Sequence, residues 1–475
     1  MRYSSQRRNK ESKLTEVLYF ALAAAGLLFL ALYIYKATAD VVWSDYIRLI
    51  NEYIPEVGKF SKLFVPDVLT RTPLTYAARL INVRSFSYSV TFDRILTLIG
   101  IAMITGTIVE YSIRYRIKPW WYLMFMIIIF SLNKWEIIIN GTAWPHMVAI
   151  GLFFINYSLF DKIWTGEASA LTELTACVMP FALLLVAGEY IASYAVTMII
   201  VSFFGSIIGG AVNKVSKRTQ SIFLRICICT AVALLIYLIS RHFAVWEHAG
   251  TTDITIFEIM KKVPTYLPKF FLKTLAGSVI GQETAVRFGI SDIALYMIGA
   301  GLLVTYVLSF VWFLKTEMGE RTIFPMLLLI SGFMNHLIIT YARWSFLSES
   351  YAMSSRYGGQ FMIGLLGIAI MAALYKKPVR MYRRREANRL DKVVRIFICL
   401  TCVMIVAGMI VTTADEIVKA KYRKQNFVHM QEVMVNYENY TEEELCKTFE
   451  WHKDPAVLYN AIEILKKNRL NVFAP

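Results

Sequence analysis

The chain has 475 residues, of which 57% are hydrophobic, and its mean hydropathy is +0.51. Apolar runs of about 18 residues or more recur along it, which excludes an ordinary soluble domain and indicates an integral membrane protein. The net charge of +16 does not point to nucleic acid, because the Lys and Arg residues lie in short runs at the ends of hydrophobic segments, where they set membrane topology.

The hydrophobic runs predict an all-α fold, a polytopic bundle of transmembrane helices. A bilayer core of about 30 Å takes roughly 20 apolar residues per helix, and the runs predict about 11 spans. The basic segment 1–14 is predicted to stay in the cytoplasm, so the first span, at about 15–37, runs outward. Residues 38–92 are too polar to cross a bilayer and too apolar to lie free in water. They are predicted to form a large external loop.

The following runs alternate between the two sides of the membrane. Spans 2 to 5 are predicted at about 94–113, 119–133, 142–160 and 170–187, the sixth leads to the basic run 213–218, and the seventh lies at about 221–240. Spans 5 and 6 are joined by a very short turn at residues 188–190. A second external loop, 241–292, contains the segment 255–275, which mixes Lys with aromatic residues and prolines and is predicted to form a helix in the interface plane.

The last spans complete a bundle with its N-terminus inside and its C-terminus outside. Spans 8 to 11 are predicted at about 293–314, 322–341, 357–375 and 393–412. The tenth ends in KKPVRMYRRREANR, the strongest inside signal, and every long basic run then falls on the cytoplasmic side. The transmembrane domain is therefore 15–412. Residues 413–475 are predicted to form an external helical module, with Thr441 capping a helix ahead of Glu444.

Charged residues collect near the external ends of the predicted spans. A charge at membrane depth is unfavourable by about 2.5–3.5 kcal/mol unless it pairs or lines a hydrated cavity. A shared external cavity would accommodate them together. The residues are Asp40, Asp45, Lys134, Glu136, Glu189, Arg343, Glu349 and Arg356.

Two acids of the first external loop are candidate catalytic residues. Asp45, in Trp-Ser-Asp-Tyr, is placed to act as a general base on an acceptor hydroxyl, and Asp40 is the second candidate. The alternative for Asp45 is a solvated acid that caps the helix starting at Tyr46.

Two further acids are candidate substrate contacts. Glu136 follows Trp135, and an acid beside an aromatic platform is an arrangement that holds sugar hydroxyls. The alternative is an interfacial Trp next to an ion pair between Lys134 and Glu136. Glu189 is either a substrate contact or a simple turn acid.

Arg356 stands in Ser-Ser-Arg-Tyr-Gly-Gly at the start of a predicted span. A guanidinium binds phosphate oxygens bidentately, and the free N–H groups of a helix N-terminus add to such an anion site. The alternative is an Arg that anchors its helix at the interface, which is more usual on the cytoplasmic side. Arg343 and Tyr357 are further candidates for substrate binding.

The sequence predicts neither a metal site nor another cofactor. Five of the six cysteines lie in apolar runs, so no structural disulfide is expected. His242 and His248 lack the partners of a His-Glu-x-x-His motif or of a Cys-containing site. A divalent ion between paired acids stays open.

Several short motifs together resemble the type C class of bacterial polytopic glycosyltransferases (GT-C). They are an acid in the first external loop, Trp-Glu followed by Gly141, Ser-Arg-Tyr opening the penultimate span and a closing Leu-Asn-Val-Phe. The resemblance implies a GT-C-like fold in which Asp45 takes the place of the class's first-loop base and Arg356 holds a lipid phosphate. Many members carry two adjacent acids in that loop, whereas here Ser44 precedes Asp45.

The resemblance implies transfer of a sugar from a polyprenyl-phosphate carrier to a glycan or glycolipid acceptor. The enzyme would lie in the bacterial cytoplasmic membrane with its active face extracytoplasmic, and its partners would be these two substrates and membrane lipid, with no nucleic acid. A transporter or flippase of lipid-linked glycans is one alternative, and a glycan polymerase is another.

Overall fold

The computed structural model describes residues 2–64, 72–207, 216–243, 252, 254–375 and 385–475, with the backbone alone for 2–12, 317 and 385–391. Within that part of the chain the secondary structure is helical, without a strand. Ten helical segments there are long and apolar enough to cross a membrane. The predicted all-α, multi-pass class is therefore confirmed. The number and direction of the crossings, and the GT-C-like arrangement, stay predictions.

The helices follow one another along the chain with short connections. The first half contains α1 (Arg2–Ala37), α2 (Asp45–Tyr53), α3 (Pro73–Phe86), α4 (Val90–Arg114), α5 (Pro119–Phe130), α6 (Trp135–Ile139), α7 (Trp144–Trp164), α8 (Ala170–Ala187) and α9 (Ile191–Ile207). The second half contains α10 (Lys217–His242), α11 (Ile256–Lys262), α12 (Tyr266–Val279), α13 (Gln282–Arg287), α14 (Asp292–Lys315), α15 (Phe324–Arg343), α16 (Gly358–Leu374), α17 (Arg385–Val435), α18 (Glu442–Thr448) and α19 (Pro455–Asn468). Parts of two predicted basic runs, 213–215 and 376–384, lie outside the described residues.

Glycines set the closest contacts between the long helices. A Cβ atom on Gly100 of α4 would lie 2.5 Å from the carbonyl carbon of Met147 in α7. A Cβ atom on Gly332 of α15 would lie 2.3 Å from the Cα of Gly364 in α16. Small residues let helix backbones approach in this way inside a membrane, where packing rather than the hydrophobic effect holds helices together.

The helices α8 and α9 fold back on each other through a 3₁₀ turn at Gly188–Tyr190. Glu173, near the start of α8, pairs with Arg218 at 2.8 Å, and Gly205, near the end of α9, packs on Phe223. Arg218 and Phe223 both lie in the first turns of α10. The start of α8 and the end of α9 therefore meet at one end of the bundle. The turn at residues 188–190 is consequently placed at the other end.

The single interface helix predicted for residues 255–275 is wrong in its extent, and its position at the membrane interface stays a prediction. The segment forms two helices, α11 and α12, with Pro264 in the break, because proline removes a backbone donor and clashes with the preceding turn. Much of α12 is buried, and Lys273 within it donates to Asp292 at 2.9 Å and contacts Glu349 at 3.4 Å. These two acids compensate a lysine that is only 5% exposed.

The helix of the last predicted span does not end near residue 412 but continues to Val435. Ion pairs support the polar continuation: Asp415 contacts Lys419 at 2.8 Å, and Glu416 contacts Arg423 at 2.9 Å. The first pair joins neighbouring turns of the helix, and the second spans two turns. The short helices α18 and α19 follow, and α19 packs on α2, where the Asn51 side chain donates to the carbonyl of Val457.

Candidate functional site

An open cleft of about 360 Å³ lies at one end of the bundle. Its walls come from the start of α2, the segment between residues 136 and 146, Tyr190, the segment between 343 and 357, and residues 450–453. The first four stretches follow the C-terminal ends of α1, α5, α8 and α15, and residues 450–453 lie between α18 and α19. The cleft is therefore formed where five connections on the same side of the bundle meet.

Asp45 is the first residue of α2 and is exposed in the cleft. The residue before it, Ser44, has a left-handed backbone with φ of 51°, and its N–H donates to the carbonyl of Phe449 at 2.9 Å. Glu450, next to Phe449, is left-handed too, with φ of 52°. Such conformations are unfavourable by about 1–3 kcal/mol for residues other than glycine and concentrate at functional sites. The hydrogen bond thus fixes two strained residues at the edge of the cleft.

Arg356 forms an ion pair with Glu136 through its Nε atom. The hydroxyl of Ser355 donates to the same carboxylate at 3.2 Å, so Glu136 is held from two directions. The Arg356 guanidinium also interacts electrostatically with Asp45 and Glu450. The cleft therefore sets one guanidinium among three carboxylates.

The alternative pairing of Glu136 with Lys134 is excluded by the position of the lysine. Lys134 is buried, and its ammonium donates to the carbonyls of Ser131 at 2.9 Å and Ile128 at 3.3 Å. It turns back into the end of α5 and away from the cleft. The partners of the Glu136 carboxylate are therefore Arg356 and the serine hydroxyls.

Arg343 and Tyr357 line the cleft together. The Arg343 guanidinium lies 5.9 Å from the centre of the Tyr357 ring and 6.0 Å from that of Phe346. A planar cation between two aromatic faces is oriented by the rings as well as attracted to them. This second cation extends the positive side of the cleft beyond Arg356.

Glu189 does not itself line the cleft but contacts a histidine that does, and the sequence analysis does not single out this histidine. His146, at the start of α7, lies with Nε2 3.4 Å from Glu189, and its ring lies tilted against that of Tyr190, with 4.7 Å between the ring centres. A carboxylate on one ring nitrogen orients an imidazole, as it does for many catalytic histidines. His146 is therefore a second group in the cleft that is able to accept a proton.

The C-terminal module contributes a wall that sequence reasoning also misses. Residues 450–453, Glu-Trp-His-Lys, line the cleft, and Trp451 is anchored by its indole N–H, which donates to the Asp454 carbonyl at 2.9 Å. Glu450 keeps much of its surface exposed, yet the cleft walls desolvate its carboxyl and raise its pKa. Glu136 and Asp45 add to this rise in pKa, and Arg356 opposes it.

Besides Glu189, two further candidate residues from the sequence do not line the cleft. The Asp40 carboxylate accepts the hydroxyl of Ser89 and the N–H of Val90 at 2.7 Å, so it joins the first loop to the start of α4. Trp135 lies against the Arg423 guanidinium, 3.2 Å from the ring centre, beside a smaller polar cavity of about 80 Å³ that shares the Glu136 wall. Both residues have a partner that explains their position without a substrate.

Within the described residues, no group of three or more His, Cys, Asp or Glu side chains is arranged to hold a metal ion. Two ion pairs lie at the cleft: Glu136 with Arg356, and Glu189 with the lining residue His146. Its chemistry is that of cations, carboxylates and an imidazole around an open space.

No protein-family model, no curated protein and no solved structure matches the chain.

Proposed function

We propose that this protein is a membrane glycosyltransferase, GT-C-like in fold, that moves a sugar from a polyprenyl-phosphate carrier to a glycan or glycolipid acceptor. The proposal places it in the bacterial cytoplasmic membrane with the cleft on the extracytoplasmic side. The observation that carries it is the joining in one cleft, at the end of a membrane bundle, of an arginine for phosphate, carboxylates for hydroxyl groups and aromatic rings for a sugar.

The phosphate end of the carrier is assigned to Arg356. This residue precedes the N-terminus of α16, where the helix dipole and free N–H groups favour an anion. Its pairing with Glu136 through Nε orients the guanidinium, and its two terminal nitrogens are the donors that suit phosphate oxygens. Arg343, held between Tyr357 and Phe346, adds a second positive charge near by.

The transfer requires one displacement at the anomeric carbon. The acceptor hydroxyl loses its proton to Asp45, and the hydroxyl oxygen forms a bond to the anomeric carbon. At the same time the bond between the anomeric carbon and the phosphate oxygen breaks. The electron pair leaves with the phosphate, whose growing charge Arg356 stabilises. A single in-line displacement inverts the configuration of the sugar.

The sugar ring would occupy the middle of the cleft, between Trp451 and Tyr351 on the aromatic side and Glu136 and Asn140 on the polar side. Carboxylate and amide oxygens accept from sugar hydroxyls, and aromatic faces cover the apolar face of the ring. The lining therefore has the mixture of groups that a saccharide needs.

A transporter or flippase of lipid-linked glycans is the second candidate, and a glycan polymerase the third. Charged residues occur at both ends of the bundle, with the partly exposed Arg356 at one end and the buried Asp161 at the other. Asp161, however, is engaged in structure, since it accepts the N–H of Ile323 at 2.7 Å at the start of α15 and the guanidinium of Arg114 at 3.1 Å. A cleft confined to one end favours an enzyme that acts on one face of the membrane over a transporter that moves its substrate between the two faces.

A binding measurement with a short-chain polyprenyl phosphate tests the proposal. We expect Arg356→Ala to weaken binding by roughly 10- to 100-fold, since a hydrogen bond to a charged group contributes about 1.5–3 kcal/mol. The control is Arg321→Ala, which removes an exposed arginine next to α15 at the opposite end of the bundle. Equal binding by both variants and the wild type would contradict the assignment. Incubation with polyprenyl-phosphate-linked hexoses and pentoses then tests transfer itself.

A further inference from the structure

A second, basic groove lies on the outer surface of the bundle at the end that carries the cleft. It holds about 440 Å³ and runs between the last turn of α1, at Lys36, and α17, where its lining includes Lys421, Lys424, His429 and Glu432. We propose that this groove binds the phosphate headgroup of an anionic glycerophospholipid whose acyl chains lie along α1 and α17. The proposal does not depend on the function assigned to the cleft.

The groove is built on one stripe of a helix. Its residues on α17 recur at steps of three and four, from Lys421 to Glu432, so their side chains share one face. The Lys424 ammonium donates to the carbonyl of Tyr35 at 3.1 Å and lies 4.7 Å from the centre of the Tyr35 ring. That carbonyl belongs to the last turn of α1, where the helix dipole favours a cation. Lys424 therefore joins the two helices that form the sides of the groove.

The other face of the same helix turns inward. Arg423, adjacent to Lys424, pairs with Glu416 and Glu283 at 2.9 Å each and lies on Trp135. Positive charge on the inner face is thus matched by carboxylates within the protein. The lysines of the groove face outward from that network.

Apolar side chains lead from the groove into the membrane-spanning part of both helices. Leu28 and Leu32 of α1 are 61% and 50% exposed, and Ile417 and Val418 of α17 are 51% and 53% exposed. Both helices are long and apolar enough to cross a membrane. The lysines begin where this exposed apolar surface ends, which is the depth of lipid headgroups, and Lys side chains extend their ammonium groups to that level.

Charge and distance select an anionic headgroup over a zwitterionic one. Lys36, Lys421 and Lys424 surround the membrane end of the groove, whereas its acidic residue, Glu432, lies 11 residues beyond Lys421. At 1.5 Å per residue this separation is roughly 16 Å along the helix, more than the Debye length of about 8 Å at physiological salt. The membrane end of the groove is therefore positive, and a phosphate with acyl chains fits both its charge and its apolar continuation.

The test is a lipid titration of the full-length, detergent-purified protein, read by native mass spectrometry. The probes are dioleoylphosphatidylglycerol, which is anionic, and dioleoylphosphatidylcholine, which is zwitterionic. We expect the wild type to retain phosphatidylglycerol preferentially, and each lysine removed in Lys36→Gln/Lys421→Gln to weaken its binding roughly fivefold. The control Lys447→Gln/Lys467→Gln removes the same charge from exposed positions of the C-terminal module and should bind as the wild type does.

Three further results decide the assignment. Arg356→Ala should bind phosphatidylglycerol as the wild type does, which separates the groove from the cleft. Inorganic phosphate at equal concentration should not displace the lipid, because it lacks acyl chains; full displacement would identify a free-anion site instead. Equal phosphatidylglycerol binding by the two double variants, or no preference over phosphatidylcholine in the wild type, would overturn the proposal. Circular dichroism and gel filtration confirm that each variant is folded.

Discussion

The main-chain N–H of Ser44 donates to the carbonyl of Phe449 at 2.9 Å, joining two residues that are separated by most of the chain. Asp45 follows the first and Glu450 follows the second, so both acids of the cleft edge are placed by one hydrogen bond. The left-handed backbone at Ser44 and at Glu450 directs the chain into and out of this contact.

The hydrogen bond at Ser44 is testable through two substitutions. Ser44→Pro removes the donor and imposes φ near −65° where the backbone has 51°, so the hydrogen bond is lost and the unpaired Phe449 carbonyl is unfavourable by about 1–3 kcal/mol. Ser44→Gly keeps the N–H and accepts the left-handed backbone. Limited trypsin digestion should then cut residues 436–475 of the C-terminal module faster in Ser44→Pro than in Ser44→Gly. Equal rates would show that the contact does not hold the module.

Asp45→Asn should abolish sugar transfer while leaving insertion and folding unchanged. The amide cannot accept the acceptor's proton, and general base catalysis contributes about 10²- to 10⁴-fold. Asp45 is exposed and starts a helix, so the neutral side chain disturbs little packing. Transfer rates and thermal unfolding are measured beside Glu443→Gln, an exposed acid at the start of α18. Retained turnover would remove Asp45 from the base role.

His146→Phe separates the imidazole from its ring packing. Phenylalanine keeps an aromatic ring over Tyr190 but loses the nitrogen that lies 3.4 Å from Glu189. Because Asp45 is assigned as the base, we expect His146→Phe to reduce transfer less than Asp45→Asn does. The measurement is the turnover rate of the two variants with the same donor and acceptor. The reverse order would assign the base role to His146, with Glu189 as the residue that positions it.

The raised pKa of Glu450 predicts a pH-dependent stability difference. A carboxyl whose pKa is higher in the folded protein than in the unfolded chain, where it is about 4.3, binds its proton more tightly when folded. Its contribution is therefore present at pH values below 4.3 and is lost as the pH rises through the raised pKa. Glu450→Gln should unfold at a higher temperature than the wild type near pH 7 and at a similar temperature at pH 4.

Thermal unfolding of both proteins between pH 4 and pH 8 checks this sign. A wild type that is the more stable of the two at neutral pH would mean that the charged Glu450 is held by Arg356 more strongly than desolvation disfavours it. In that case Arg356→Ala should remove the advantage of the wild type.

The long hydrophobic runs were enough to predict the helical, multi-pass class, because a bilayer leaves few other structures for such segments. Alternation of the spans also predicted a common end for Asp45, Glu136, Arg343 and Arg356, and the cleft does bring these four together. Topology specifies which end of a helix a residue occupies. It does not specify the direction in which the side chain points.

The unspecified direction of the side chain explains why Asp40 and Trp135 do not line the cleft. Both lie at the same end of the bundle as the cleft, but they contact Ser89 and Arg423 instead. Trp451 and its neighbours were not among the site residues predicted from the sequence, and this has another cause. Their position depends on a contact between the first loop and the C-terminal module, and no periodicity within either segment encodes a pairing at that separation. His146 was missed because a single histidine after Trp-Pro carries no motif.

The continuous helix α17 has a consequence for how this protein tolerates insertions and deletions. It extends over 51 residues, from the membrane-spanning part to the polar module that contributes Glu450 and Trp451. An α-helix turns by about 100° and rises 1.5 Å with each residue. Deleting one residue between 413 and 435 would therefore rotate α18 and α19 by more than a quarter turn, away from α2. The cleft would lose a wall although every one of its residues was still present, so the length of this helix matters for the cleft as well as the residues that line it.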